Sequence, residues 1–352
     1  MTMWNSERSI LVNTRCLGGP LTTGVQRYTL ELLKQWGNSV QVAAPDCPLG
    51  GLKGHAWEQV KLANRVGDRL LFSPANTGPL AVKRQVIAIH DTASFDEPSS
   101  CSRAFATWYR FMHRVLARRV ARVITVSEYA RNRILFHLDI PPDRVIAIPN
   151  GVDQRFRPHT DAELCATLEL LRLPSCRYIV SVGTQQPYKN HRRLLEAWKR
   201  IQGDIDPKVW LVLVGTKGPR RALRDPDFND LPDRVFMTGR VDDQQLPAIY
   251  AGALGCVQIS LYEGFGLPAL ESMASGTPVI ASNAASFPEV IGDAGILVDP
   301  LDVERIGQAI NRIVQDTDLR DDLRKRGLER SKLFTWETTA QRVWEVLQNA
   351  AS

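Results

Sequence analysis

Residues 259–282 read ISLYEGFGLPALESMASGTPVIAS. A β-rich apolar run, ending near Ser260, leads into a loop carrying Gly264 and Gly266. Proline is well suited to the first helical turn, so a helix is predicted to begin near Pro268, and Gly276 with Pro278 marks its end. Another β-rich run, TPVIAS (277–282), follows at once. Strand, glycine loop, helix and strand in this order form the building block of a parallel sheet.

The same grammar extends in both directions. Toward the C-terminus lies GILVD (295–299), and toward the N-terminus lie GCVQIS (255–260), RVFMTG (234–239), VWLVLVG (209–215) and YIVSVG (178–183). Together they predict one doubly wound α/β domain. Earlier in the chain, SILVN (9–13) is followed by a helical pattern with Val25, Tyr28, Leu32, Leu33 and Trp36 on one face. VIAIH (86–90), RVITVS (122–127) and RVIAIP (144–149) then predict a second sheet, and the turn-rich NGVDQRFRPH closes it. The expected domains are 1–160 and 170–333, with a polar helix near 302–330. A final amphipathic helix is expected at 335–352, bearing Trp336, Val343, Trp344 and Leu347. Open parallel sheets bind ligands at the carboxyl ends of their strands, so the chemistry is expected in loops lining a cleft between the domains.

Composition fits this picture. The 352 residues are 44% hydrophobic and 23% charged, too apolar for disorder. The six cysteines contain no Cys-x-x-Cys pair and read as reduced, mostly buried thiols. MTMWNSERSILVNTR lacks a signal-peptide apolar region, and no window approaches the roughly 20 apolar residues of a membrane span. A cytoplasmic protein is expected. The first 150 residues hold 19 Lys and Arg against 11 Asp and Glu, whereas the remainder holds 25 against 27. Basic charge is therefore concentrated in the first half, where acidic partners are to be sought. RAFATWYRFMHRVLARRVARVI (103–124) carries six arginines among Trp108, Phe111, Met112, Val115 and Leu116. It reads either as an amphipathic helix for a membrane surface, at the inner face of the membrane, or as a core helix with arginine on its wet side. No nucleic-acid fold signature accompanies the charge.

Gly264 and Gly266 allow backbone N–H groups to approach a ligand closely, and the helix behind them favours negative charge, most naturally a diphosphate. Glu263 and Glu271 flank the loop. A carboxylate repels phosphate, so these two are suited to hydroxyls on either side of it; a capping or surface role is the alternative for Glu271. Lys189 in YKN follows a strand and Pro187, where an ammonium would meet phosphate oxygens or else be a solvated loop lysine. LGGPLTTGVQRYTLELL is a further strand, glycine loop and helix, with Thr23 as N-cap and Gly24 and Val25 presenting N–H groups; a simple turn glycine is the alternative. His90 and Asp91 end the strand VIAIH.

At this point a resemblance becomes specific. The glycine-loop segment resembles the signature of retaining GT-B glycosyltransferases, in the large family that includes bacterial mannosyltransferases. SVGTQQPYKNHRRLLEAW (181–198), MTGRVDDQQLPAIYAGA (237–253) and SNAASFPEVIGDAGILVDP (282–300) carry it further, and IHD, VSEYARNRI and IPNGVD do so in the first half. The resemblance implies two Rossmann-like domains facing a central cleft, with the final helix at 335–352 crossing back to complete the first. It implies donor contacts from Gly24, Val25, Thr184, Lys189, Arg240, Val241, Glu263, Gly264, Phe265, Gly266, Leu267 and Glu271, with His90, Lys189 and Glu263 at the reaction centre. Within that set Arg240 and Val241 are expected to read the base and His90 to bond the transferred sugar. Many relatives carry an arginine where Thr184 stands, or one immediately before the lysine, where Tyr188 stands; Arg192 or Arg193 is a candidate substitute.

The resemblance implies transfer of a hexose, with mannose from GDP-mannose favoured by the VGT-x-x-P-x-KN form, to a glycan or lipid-linked hydroxyl acceptor. A UDP-sugar donor, a nucleotide-sugar epimerase and a nucleotide-sugar sensor are the alternatives. No cofactor and no metal are expected: Asp225 and Asp227 have metal-binding spacing but lie in a polar, loop-like stretch.

Overall fold

The computed structural model describes residues 10–19, 23–171, 177–216 and 231–351. The chain forms two compact units. One comprises the described residues up to Asp96, Arg103–Gly151 and those from Thr335 onward; the other comprises Glu97–Ser102 and Val152–Phe334.

In the first unit six parallel strands, β1 (Ile10–Asn13), β2 (Gln41–Ala43), β3 (Leu70–Ser73), β4 (Gln85–Ala88), β5 (Arg122–Thr125) and β6 (Val145–Ala147), lie in the order β2-β1-β3-β4-β5-β6. Every residue of β1, β3 and β4 is buried, because helices cover both faces, and such strands read as unbroken apolar runs. Side chains alternate between the faces. Ile10, Val12, Phe72, Val86 and Ile124 pack with Tyr28, Leu32 and Trp36 of helix Gly24–Trp36 and with the C-terminal helix Trp336–Ala351. Leu11 and Leu71 meet Trp57 and Leu62 on the opposite face, while Ile87 and Val123 meet Met112, Leu116 and Ile134. Trp36 Nε1 donates to Ala340 O at 3.2 Å, and its ring centroid lies 5.8 Å from that of Trp344.

In the second unit β7 (Tyr178–Val182), β8 (Trp210–Val214), β9 (Val235–Gly239), β10 (Gly255–Gln258), β11 (Val279–Ser282) and β12 (Gly295–Val298) are also parallel, in the order β12-β11-β10-β7-β8-β9. Strand order reverses between β7 and β10, and in open α/β sheets the crevice at such a reversal holds the ligand.

Three sequence expectations need adjustment. The second unit takes the chain from Val152, not beyond 160, because Phe156 packs with Tyr178, Tyr250 and Cys256. The polar stretch near 302–330 is two helices, Val303–Gln315 and Thr317–Ser331: Asp316 leaves the helical conformation (φ −99°, ψ 102°) and caps the second through Leu319 N. The thiols are not mostly buried among the described residues: Cys256 is buried, Cys16 and Cys101 are partly covered, and Cys47 and Cys165 are exposed.

Candidate active site

The loops after β7 and β10 meet at the reversal point. After β7, Gly183 N donates to Val214 O, and Gly215 stands against it with φ +141°; a Cβ there would lie 1.9 Å from Gly183 O, so only glycine fits. Pro187 opens a short 3-10 turn, Pro187–Lys189, and Asn190 follows in the left-handed region at φ 62°. Its buried Nδ2 donates to Ile259 O at 3.0 Å and to Pro300 O at 2.7 Å, while Leu261 N donates to Tyr188 O. Two loops distant in sequence are thereby fixed to each other. Lys189 Nζ reaches Glu263 Oε2 at 2.5 Å, with side chains only 12% and 17% exposed, and lies 5.6 Å from the Tyr188 ring centroid. Thr184 is half-buried at the start of the same loop.

After β10 the chain runs through Glu263, half-buried Gly264 and buried Phe265 to Gly266. Ser286 Oγ donates to Glu263 O, and Phe265 packs edge-on to Phe334. Gly266 has φ +99°, and a Cβ would meet Phe287 Cε1 at 2.9 Å. Helix Leu267–Ala274 begins immediately, with Pro268 in its first turn and no side-chain cap, which leaves its positive end for an external acceptor. Glu271 is 4% exposed on this helix, and Tyr250 Oη donates to its Oε2 at 3.2 Å. A bare surface role for Glu271 is therefore excluded by its burial. At the end of β9, Gly239 (φ +70°) turns the chain to exposed Arg240 and half-buried Val241, and Gly215 N donates to Gly239 O.

Gly24, Val25 and His90 belong to the first unit. Thr23 caps helix Gly24–Trp36 through a reciprocal capping box with Gln26; Gly24 is exposed and Val25 half-buried. His90, just beyond β4, is buried, with Nε2 at 2.7 Å from Pro74 O and its ring edge-on to Tyr28 at 4.7 Å. A carbonyl accepts only, so Nε2 carries the proton. Burial, partly opposed by the Pro74 contact, pushes the imidazole down to about 4, so the ring is neutral at pH 7. Such a ring is suited to hydrogen bonding and not to carrying charge.

Asp225 and Asp227 lie outside the described residues. Among the described residues no three His, Cys, Asp or Glu side chains group as metal ligands, and no helix is long and apolar enough to cross a membrane. Helix Arg103–Arg119 buries Met112, Leu116 and Ala117 in the core, as the core-helix reading expects, while Phe105 and Phe111 are 46% and 52% exposed. A cavity of about 400 Å³ lined by Ile296, Val298, Asp302, Arg305 and Arg312 sits at edge strand β12 and not at the reversal point. Sequence reading missed Tyr250, Asn190 and Ser286; of these only Asn190, beside Lys189 in YKN, carried a local signal.

Residues 173–330 match the family described as Glycosyl transferases group 1, and residues 72–156 match Glycosyltransferase Family 4. The O-antigen chain mannosyltransferase B of Escherichia coli is 33% identical over 279 residues, covering 77% of this chain and 71% of that protein. The chain belongs to the group 1 glycosyltransferases. This glycosyltransferase is also 32% identical over 256 residues to the MMP alpha-(1->4)-mannosyltransferase of Mycolicibacterium hassiacum, covering 69% of this chain and 58% of that one. The crystal structure of Anabaena HepE with UDP and glucose superimposes with a TM-score of 0.77 at 17% identity, over 97% of this chain and 100% of that one. That similarity shows the fold, GT-B, with its two Rossmann-like α/β units.

Proposed function

We propose that this glycosyltransferase moves mannose from GDP-mannose to a hydroxyl of a glycan, with retention at the anomeric carbon. The observation that supports it most directly is the Lys189–Glu263 pair at the strand-order reversal, beside an uncapped helix N-terminus. Lys189 and the backbone N–H groups at Gly264, Gly266 and Leu267 stabilise the charge that develops on the departing diphosphate. Glu263 turns from Lys189 to a hydroxyl of the hexose, Glu271 accepts from the ribose, and Thr184 lies beside the phosphates. Arg240 and Val241 read the base edge. The acceptor hydroxyl attacks on the leaving-group face, and a phosphate oxygen takes its proton. Both curated relatives compared above are named mannosyltransferases, which supports the sugar.

The exposed Phe105 and Phe111, with Arg103, Arg114 and Arg118 on the same helix, support peripheral contact with anionic lipid and hence a lipid-linked glycan acceptor at the inner membrane face. Incubation with GDP-[14C]mannose tests the central reading. Transfer to glycan, or slow release of mannose, is expected; a changed hexose still on the nucleotide would make the protein an epimerase, and an unchanged donor a sensor. Sedimentation with phosphatidylglycerol vesicles tests the membrane contact, which Phe105→Ser with Phe111→Ser should abolish.

A further inference from the structure

The first unit holds a polar cluster that this mechanism leaves unused. β1 and β3 are where the strand order of the first sheet reverses, and Asn13 ends β1. Beside it Glu58 is buried, its side chain 1% exposed. Oε1 accepts from Asn13 Nδ2 and Thr77 Oγ1, both at 2.8 Å, and Arg15 Nε lies 3.0 Å away without the alignment of a hydrogen bond. Oε2 faces His55 Nδ1 at 3.5 Å and makes no hydrogen bond. Burial would raise this carboxyl, but His55, Arg15, Asn13 and Thr77 outweigh it and hold it below its ordinary value.

Such an arrangement does not serve stability well. A buried ion pair rarely outperforms apolar residues of similar volume, and a buried carboxylate oxygen left unbonded is costly. The helix also widens to a π-turn over Glu58–Leu62, a distortion found frequently at functional sites. Arg15 and His55 are the members that reach solvent, 14% and 13% exposed, and the His55 ring sits edge-on to Trp108 and Tyr109 at 5.7 and 5.9 Å. With Nδ1 toward Glu58, the Nε2 edge of His55 is the one left for a ligand.

We infer that Arg15 and His55, held in place by Glu58 and flanked by Trp108 and Tyr109, form a subsite for a neutral sugar, the acceptor glycan. Glu58 balances the charge of Arg15, so an anion gains no net attraction. Directed donors beside aromatic side chains instead suit a pyranose, with its hydroxyls and apolar C–H surface. Arg15 and His55 touch the sugar; Glu58 is a positioning residue. This inference rests on the glycosyl-transfer reading.

The test measures transfer from GDP-mannose to methyl α-glycosides of mannose, glucose, galactose and N-acetylglucosamine, in the full chain, for the parent, Glu58→Gln and His55→Phe. Both variants are expected to raise acceptor KM about 10- to 100-fold, the worth of a charge-assisted hydrogen bond, with kcat at saturating acceptor within about threefold and GDP affinity unchanged. An unchanged acceptor KM in both folded variants overturns the inference and leaves the cluster as a staple of its helix. If Glu58→Gln does not fold, His55→Phe decides alone by the same criterion. If the parent transfers to none of the glycosides, saturation-transfer NMR with the same glycosides decides: signals lost in His55→Phe support the subsite, and signals equal in the two proteins, or absent from both, overturn it; the donor reading fails separately only if the parent also releases no mannose from GDP-mannose.

Discussion

Lys189 pairs with Glu263 at 2.5 Å, so on the proposed reading binding a diphosphate means exchanging one anion for another. The cost of that exchange is open to measurement. Two unit charges at about 4 Å with an effective dielectric near 20 attract by about 4 kcal/mol, and desolvation of both groups, which are largely covered, offsets most of it. A net value of about 1 to 2 kcal/mol remains. GDP carries no hexose, so with this ligand Glu263 acts only as a competitor for the lysine. Glu263→Gln is therefore expected to tighten GDP binding by about 5- to 30-fold while lowering the transfer rate from GDP-mannose. Lys189→Met is expected to weaken GDP binding by about 10- to 150-fold, the loss of one charge-assisted contact, and to leave GMP nearly unaffected. Isothermal titration of both nucleotides into the parent and the two variants checks this. If Glu263→Gln weakened GDP as Lys189→Met does, the carboxylate would be helping to hold the nucleotide, and the exchange argument would fail.

Trp344→Ala should destabilise the first unit by about 3 to 5 kcal/mol, because Trp344 is 3% exposed and packs against Trp36; denaturant unfolding checks this. Burial depresses His90 to about 4, and burial with the Lys189 charge does the same to His191, so below the ordinary value of 6.5 the unfolded chain binds protons that the folded chain refuses. Stability present above pH 6.5 should therefore fall as pH drops toward 4, by up to about 1.4 kcal/mol per pH unit for each histidine. A flat profile between pH 7 and pH 5 in denaturant titrations would contradict the burial argument. Activity is expected to survive EDTA, since Lys189 and a helix N-terminus supply the positive charge; loss restored by magnesium would return attention to Asp225 and Asp227.

The second sheet was legible because each of its strands is a run of apolar residues ending in Gly, Ser or Asp, and covered parallel strands leave that pattern in the chain. The glycine loop was legible for a related reason: Gly266, with φ +99° and Phe287 beside it, has a conformation that other residues resist. β2 and β3 escaped notice. β2 has three residues, two of them exposed, and β3 is only the four residues LLFS. The helical stretch from Gly51 to Val66 was hidden by Gly51 and Gly54 and by a π-turn that breaks the 3.6-residue period, so Glu58 left no trace. Tyr250 and Asn190 show a different limit. Their partners, Glu271 and Pro300, are 21 and 110 residues away, and no local spacing encodes such contacts.

The C-terminal helix Trp336–Ala351 fills the core under β1, β3 and β4, yet about 180 residues of the second unit are made between Gly151 and Thr335. At ordinary rates of synthesis that interval lasts about 10 to 40 s. During it Trp36, Phe72 and Ile10 have only the helix Gly24–Trp36 on their side of the sheet and lack the second one, so the half of the protein made first is the half that matures last. The nascent chain then presents an apolar sheet face while the second unit is already closing its own core. A chaperone that recognises this intermediate should bind the N-terminal portion and let go only when Trp344 arrives beside Trp36.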